Sequence, residues 1–117
     1  MHVDEYEMLD TGSQPHFKLV AALKRRSDLE RAAFKTWWLE QHAPLVKQFT
    51  ELARYQVNLV PEGEPEAFCD GVAEVYFNDL EALLRITTSQ QVKTVQQDSV
   101  VHSIGINRLW VEEHPII

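Results

Sequence analysis

Residues Arg54 to Val60 have the sequence RYQVNLV, in which polar and apolar side chains alternate from Arg54 to Leu59. Successive side chains of an extended chain point to opposite faces, so this alternation predicts a half-buried β-strand. The apolar face and then the polar face consist of Tyr55, Val57 and Leu59, and of Arg54, Gln56 and Asn58. One face should therefore meet a core, while the other meets a more polar environment.

Three further segments predict strands. Phe17–Lys24 (FKLVAALK) is a short apolar run, and Gly71–Phe77 (GVAEVYF) alternates like the first strand. Ile106–His114 (INRLWVEEH) alternates again near the end of the chain. These segments have the length and the period of strands that bury at least one face.

Two helices are predicted between these strands. Ser27–Glu30 (SDLE) forms a capping box, which indicates a helix that begins there. Its apolar residues fall mostly three, four or seven apart, as in an amphipathic helix. Pro44 should kink or restart this helix near residues 41–43, because proline has no N–H to donate. Asn78 or Asp79 should cap the second helix.

The order strand, helix, strand, strand, helix, strand predicts an α+β, ferredoxin-like βαββαβ fold. We expect a four-stranded antiparallel sheet with both helices on one face. The opposite face carries residues too polar for a core and too aromatic for ordinary surface: Arg54, Gln56, Asn58, Glu74, Tyr76, Arg108, Trp110 and Glu112. This face should meet a second copy of the chain and close a dimeric α/β barrel around a cavity. The alternative is a face that is simply solvated.

Composition excludes several classes of function. The 18 Asp and Glu against 11 Lys and Arg give a net charge of -7, which opposes binding to nucleic acid. No apolar run approaches the roughly 20 residues that span a bilayer, so we expect a cytoplasmic protein without a membrane partner. The single cysteine, Cys69, excludes an intramolecular disulfide. No metal-ligand spacing or nucleotide-binding motif occurs, so we expect no metal and no cofactor.

Residues 1–15 are rich in Asp and Glu and lack a sustained apolar period. They predict an acidic, flexible N-terminal tail or a strap across a partner. Residues 16–117 should form a single domain of the barrel type.

With these elements placed, the chain resembles the EthD family of the dimeric α/β barrel superfamily over about residues 17 to 114. The matching segments are Lys18-Leu19-Val20, Leu23-Lys24-Arg25-Arg26, Phe34, Trp38, His42-Ala43-Pro44-Leu45-Val46, Tyr55, Asn58, Asp70-Gly71-Val72-Ala73-Glu74, Phe77 and Val111-Glu112-Glu113-His114. The resemblance implies a homodimer and a pocket between sheet and helices. Related barrels are similar to lactone isomerases, polyketide cyclases, dehydratases, small monooxygenases and haem-degrading enzymes.

His42 and Glu74 are the candidate catalytic residues. His42 lies where proline interrupts a helix, and its ordinary pKa suits proton transfer near neutral pH. A structural role, with His42 tying the helix kink to a strand, is the alternative. Glu74 should face the same cavity from the sheet, either as an acid or base or paired with Arg54, Arg108 or His42.

The candidate substrate-binding residues surround this pair. Asn58 and Tyr76 could donate to an oxygen that gains charge, although cross-strand hydrogen bonding explains them equally well. Trp38 and Trp110 could form walls against a flat apolar molecule, and Arg54 and Arg108 share the polar face.

These residues suggest a cofactor-independent acid–base enzyme of the isomerase, dehydratase or cyclase type. Its substrate would be a small, flat, apolar metabolite such as a lactone or an aromatic polyketide. The alternatives are an accessory or ligand-binding protein of a catabolic oxygenase system, and a small monooxygenase.

Overall fold

The computed structural model describes residues 2–13, 15 and 17–112, with the side chains of residues 105–112 outside that description. The elements are, in chain order, β1 (Asp4–Asp10), β2 (Phe17–Arg25), α1 (Arg31–Trp37), a π-helical turn (Trp38–His42), α2 (Ala43–Val46), β3 (Leu52–Leu59), β4 (Gly71–Phe77), α3 (Leu80–Thr87), α4 (Gln90–His102) and β5 (Ser103–Glu112). No helix within the described ranges is both long enough and apolar enough to cross a membrane.

The strands form one antiparallel sheet in the order β1-β3-β4-β2-β5. Without β1, the remaining strands and the helices that connect them follow the βαββαβ order. The predicted α+β, ferredoxin-like fold is therefore confirmed. The predicted four-stranded sheet is not, because a fifth strand extends it beside β3.

That fifth strand lies inside the acidic segment for which the sequence indicated a flexible tail. Asp4–Asp10 pairs with β3, from Asp4 opposite Leu59 to Asp10 opposite Arg54. The acidic residues hide an alternation: Tyr6 packs against the core, while Glu7 is exposed and binds Arg54 at 2.5 Å. The strand forms because its apolar side is covered and one of its charges finds a partner on β3.

Helix α1 begins at Arg31 and not at the predicted Ser27. Residues 27–28 lie in a turn that is closed by a hydrogen bond from the Leu29 N–H to the Arg26 carbonyl, at 3.0 Å. The first turn of the helix is capped from a distant loop, where Glu62 Oε1 accepts from the Ala32 N–H at 3.2 Å. The prediction that the helix begins at Ser27 was wrong, because a local sequence pattern cannot anticipate this distant acceptor.

The predicted interruption before Pro44 is confirmed as the π-helical turn Trp38–His42. In this turn the Ala43 N–H donates to the carbonyl of Trp38, five residues earlier. The second predicted helix is divided into α3 and α4. Asp79 caps α3 by accepting from the Ala82 N–H at 2.7 Å, as expected, and Ser89 caps α4 separately.

The core lies between the helices and one face of the sheet. Its largest fully buried side chains include Trp38, Tyr55, Phe34 and Phe77. Trp38 lies directly over Gly71, the first residue of β4. A Cβ at position 71 would lie 2.5 Å from Trp38 Cζ3 and 2.9 Å from Leu59 Cδ2. The absence of a side chain at this glycine is therefore what allows the indole to pack.

A buried ionic cluster joins the β3–β4 loop to β2 and α1. The Asp70 side chain is 0% exposed, and it accepts from Arg25 and from Arg31 Nε at 3.3 Å. It also accepts from the backbone N–H of Arg25 at 2.9 Å. Because each oxygen has donors, the carboxylate is compensated in the core.

We expect Gly71→Ala to lower the free energy of unfolding by about 1–3 kcal/mol, the usual cost of overpacking a core. Trp38 would have to move away from Gly71 and from its partner Tyr55. Urea unfolding monitored by tryptophan fluorescence measures this. A wild-type midpoint would show that the indole does not depend on the glycine.

Asp70→Asn should cost about 3–5 kcal/mol, because it removes the counter-charge of the buried Arg31 and leaves Arg25 with Glu66 alone. Asp28→Asn is the matched control, since Asp28 is 68% exposed and pairs with Arg26 at the surface. This control should change stability by less than about 1 kcal/mol. Equal losses in the two variants would contradict the assignment of Asp70 as the anchor of the loop.

Candidate functional site

A cavity of about 320 Å³ lies between the helices and the sheet. Its walls are mainly apolar side chains from β2, β3, β4 and the helices. The polar residues among the described lining residues are His42, Tyr55, Thr87, Gln96 and Ser99. An apolar chamber with a few polar groups is the usual form of a small-molecule site.

His42 enters this cavity from the end of the π-helical turn. The turn places Trp38 and His42, four residues apart, on its inner side, where they are 1% and 5% exposed. Such turns are frequent at functional sites because they displace side chains from the regular helical positions. The proline that follows is compatible with this geometry, since it lies in the first turn of α2.

The two ring nitrogens of His42 have different partners. Nδ1 lies 2.8 Å from Asp98 Oδ2, and Nε2 lies 3.4 Å from the hydroxyl of Ser99. A carboxylate can only accept, so Nδ1 carries the hydrogen and Nε2 is an acceptor. The Ser99 hydroxyl, which lines the cavity, has one hydrogen and two acceptors within reach, His42 Nε2 and the Val95 carbonyl at 3.2 Å. Burial lowers the pKa of His42, against the opposing effect of Asp98. The ring is therefore a neutral base at neutral pH.

Tyr55 supplies a hydrogen-bond donor to the same cavity. Its hydroxyl accepts from Trp38 Nε1 at 2.9 Å, and burial raises the pKa of Tyr55 above its ordinary value. The hydroxyl thus keeps its hydrogen, which has no acceptor among the residues of known placement. It is free to donate to an oxygen of a molecule in the cavity.

Two of the predicted site residues, His42 and Trp38, line the cavity. The predicted catalytic partner Glu74 does not, because it alternates with Ala73 and Val75, which do. Glu74 lies on the opposite face of the sheet, away from the helices, which we call the open face. There it accepts a hydrogen bond from Asn58 at 3.2 Å. The sheet therefore separates Glu74 from His42, and the expectation that they share a cavity is corrected.

The other predicted binding residues of β3 and β4 also belong to the open face. Arg54 donates to Glu7 and to Gln56, and Tyr76 lies 3.5 Å from Glu74. Lys18 forms an ion pair with Glu74 at 3.4 Å. These residues form a cross-strand network, which was the alternative explanation for them.

Arg108 and Trp110 lie on β5, where only the backbone is described. The register pairs Trp110 with Leu19 and Arg108 with Ala21. Leu19 and Ala21 line the helix-covered cavity, whereas Glu74 pairs with Val20. The backbone register therefore does not group these two residues with Glu74, and their side chains lie outside the described residues.

The sequence interpretation missed Asp98 and Ser99, and it treated Tyr55 only as a core residue. A usable signal was the spacing along α4, where cavity residues recur at intervals of three, one and three: Val92, Val95, Gln96 and Ser99. The polar neighbours of these residues conceal this stripe. No group of three or more His, Cys, Asp or Glu is arranged to hold a metal within the described part of the chain.

Several solved structures of other proteins have a similar architecture. An EthD family protein from Bacillus halodurans is 22% identical, with a TM-score of 0.69 over 85% of this chain and 99% of its own. A dimeric protein of unknown function with a ferredoxin-like fold from Bacteroides fragilis is 14% identical, with a TM-score of 0.63 over 85% of this chain and 97% of its own. A dimeric ferredoxin-like protein of unknown function from Thermobifida fusca is 9% identical, with a TM-score of 0.61 over 96% of this chain and 99% of its own.

Likeness at these identities establishes the fold alone. No curated protein matches the chain. The family follows from the sequence comparison, in which the model of the EthD domain matches residues 26–102. Since this match spans most of the chain, the protein belongs to the EthD domain family.

Proposed function

We propose that the protein is an acid–base enzyme, of the isomerase, dehydratase or cyclase type, that acts on a small, largely apolar carbonyl compound. The observation that carries this proposal is the orientation of His42. Its Nδ1 is held by Asp98 at 2.8 Å, and its Nε2 is left as an acceptor beside the cavity-lining Ser99. A neutral, oriented imidazole is the arrangement that general base catalysis requires.

The proposed reaction begins with transfer of a proton from an acidic C–H of the substrate to His42 Nε2. The electron pair of that C–H bond moves toward the adjacent carbonyl and forms an enolate, whose oxygen accepts a hydrogen bond from Tyr55. The imidazolium then returns its proton to another carbon in an isomerisation, or to a leaving hydroxyl in a dehydration. Asp98 stabilises the charged imidazolium throughout.

The cavity favours a compact substrate. Its volume of about 320 Å³ is near the lower end of the roughly 300–1,000 Å³ that small-molecule sites occupy. The walls are largely apolar, which favours a flat ring system such as a lactone or an aromatic ketone. The polar groups provide the few directional contacts that orient it.

The direct test is His42-dependent exchange of carbon-bound hydrogen with solvent deuterium. NMR of a panel of apolar ketones and lactones, 2-tetralone first, measures incorporation. We expect wild-type protein to accelerate exchange and His42→Ala to lose about 10²–10⁴-fold of that rate. Tyr55→Phe should lose less, since it removes only the oxygen contact.

Glu81→Gln is the matched control, because Glu81 is 88% exposed on α3. It should exchange substrate at the wild-type rate. Equal rates in wild-type protein and His42→Ala would overturn the proposal. If His42→Ala instead binds the same ligands with unchanged affinity while wild-type protein shows no turnover, the protein is an accessory or ligand-binding protein.

We also propose that the open face of the sheet packs against a second copy of the chain. Two ion pairs lie on this face, Lys18 with Glu74 and Arg54 with Glu7. Compensated charges can enter an interface without leaving an isolated ion. The solved structures from Bacteroides fragilis and Thermobifida fusca are described as dimeric, which supports a dimer but does not specify its interface.

Val72→Glu tests this assembly, because Val72 pairs with Asn58 and Ala22 on the open face. The new carboxylate beside Glu74 should convert the dimer to a folded monomer. Sedimentation velocity measures the assembly, and circular dichroism confirms the fold. A wild-type monomer, or an unaltered Val72→Glu dimer, would contradict the proposed interface.

A further inference from the structure

Trp37 is buried, being 3% exposed, and it is the last residue of α1. Its indole N–H donates to Asp98 Oδ2 at 3.1 Å, the oxygen that also holds His42 Nδ1 at 2.8 Å. The indole and the imidazole thus share one acceptor atom. A phenyl ring at this position could pack in the same core but could not donate to Asp98.

The same indole contacts two histidines. Its ring centroid lies 4.8 Å from that of His42 and 4.7 Å from that of His102, and the His102 ring is stacked at 19°. His102 also approaches the second oxygen of Asp98, with Nδ1 3.6 Å from Oδ1. Asp98 is therefore placed between two imidazoles, and Trp37 packs against both of them.

This arrangement creates a competition for the carboxylate. The Asp98 side chain is 21% exposed, so it could rotate toward His102 or solvent. The indole N–H does not ionise in the physiological range, so Trp37 remains able to donate to Oδ2 whatever the charge of the two histidines. His102 lies on the other side of the carboxylate, with its Nδ1 3.0 Å from the backbone carbonyl of Asp98.

We propose that Trp37 is a positioning residue, whose indole N–H holds Asp98 against His42 and so keeps the Nε2 of His42 unprotonated on the side of the cavity. Its catalytic consequence rests on the proposed function, but the positioning itself does not. In the physical sequence, Trp37 orients Asp98, Asp98 selects the Nδ1–H form of His42, and that form leaves Nε2 available as the base.

The titratable and charged groups around this cluster come from three parts of the fold. Asp98 and His102 face His42 from α4, and Tyr55 on β3 lines the same cavity. Arg26, before α1, donates its backbone N–H to the His102 carbonyl at 3.3 Å and pairs with Asp28. The charge of His102 lowers the pKa of His42 in addition to the effect of burial.

The test is nitrogen-15 NMR of the histidine rings in Trp37→Phe, which keeps an aromatic ring but removes the N–H. The Nε2–H form of His42, a minor species in wild-type protein, should rise by about 5-fold or more, as expected for loss of one hydrogen bond to a charged group. Phe34→Leu is the control, since it loosens packing 5.3 Å from the Trp37 ring and removes no N–H. It should leave the tautomer ratio unchanged.

A second measurement needs no variant. In wild-type protein the indole N–H resonance of Trp37 should shift with pH at the midpoint of His42, because both groups share Asp98 Oδ2. An unchanged tautomer ratio in Trp37→Phe, or an indole resonance that does not follow His42, would overturn the positioning role.

The positioning role and the proposed function fail separately. A tautomer change in Trp37→Phe without hydrogen exchange on any carbonyl compound supports positioning and removes the enzymatic proposal. His42-dependent exchange with a wild-type tautomer ratio in Trp37→Phe supports the enzymatic proposal and removes the positioning role. Once a substrate is known, Trp37→Phe should lower kcat by about 10-fold with little change in KM.

Discussion

The alternation of side chains along β3 and β4 is the constraint on which the rest of the structure depends. Because helices cover one face of the sheet only, a side chain's position in this alternation decides which environment it enters. Tyr55 and Val75 enter the helix-covered cavity, while Asn58 and Glu74 enter the open face. A shift of one residue would exchange the two sets. The backbone geometry of β3 and β4 thus determines which polar side chains face the cavity and which face the other side of the sheet.

The helix-covered side contains an imidazole that is oriented by residues outside the cavity. His42 reaches the cavity because a π-helical turn ends at this residue, and Asp98 on α4 fixes its ring from outside the cavity. Gly71 allows Trp38 to pack over β4, and Trp38 in turn donates to Tyr55. Fold and candidate site therefore depend on the same few close contacts, and packing is expected to affect activity.

Much of the fold could be predicted because its signals are local. The period of two in RYQVNLV and GVAEVYF, the proline at position 44 and the cap at Asp79 each indicate structure within a few residues. The errors arose where a distant partner decides. Glu62 caps α1 from another loop, and β1 forms because β3 offers it an edge and Arg54 offers a counter-charge.

The site was harder to predict for the same reason. His42 was identified from its place at the helix interruption and Trp38 as an aromatic wall for a flat molecule, and both line the cavity. Glu74 was predicted to share the cavity with His42 because the alternation of a strand defines two faces of the sheet. It does not say which of these faces the helices cover. Asp98 lies 56 residues after His42 in a polar helix, and no short motif links the two.

We expect small molecules to bind in the helix-covered cavity and not on the open face. A crystal structure of the protein soaked with an apolar ketone distinguishes the two locations. The carbonyl oxygen should lie within hydrogen-bonding distance of the Tyr55 hydroxyl, with an acidic carbon beside His42 Nε2. A ketone bound only against Glu74, Asn58 and Tyr76, with the cavity filled by rearranged side chains, would contradict it.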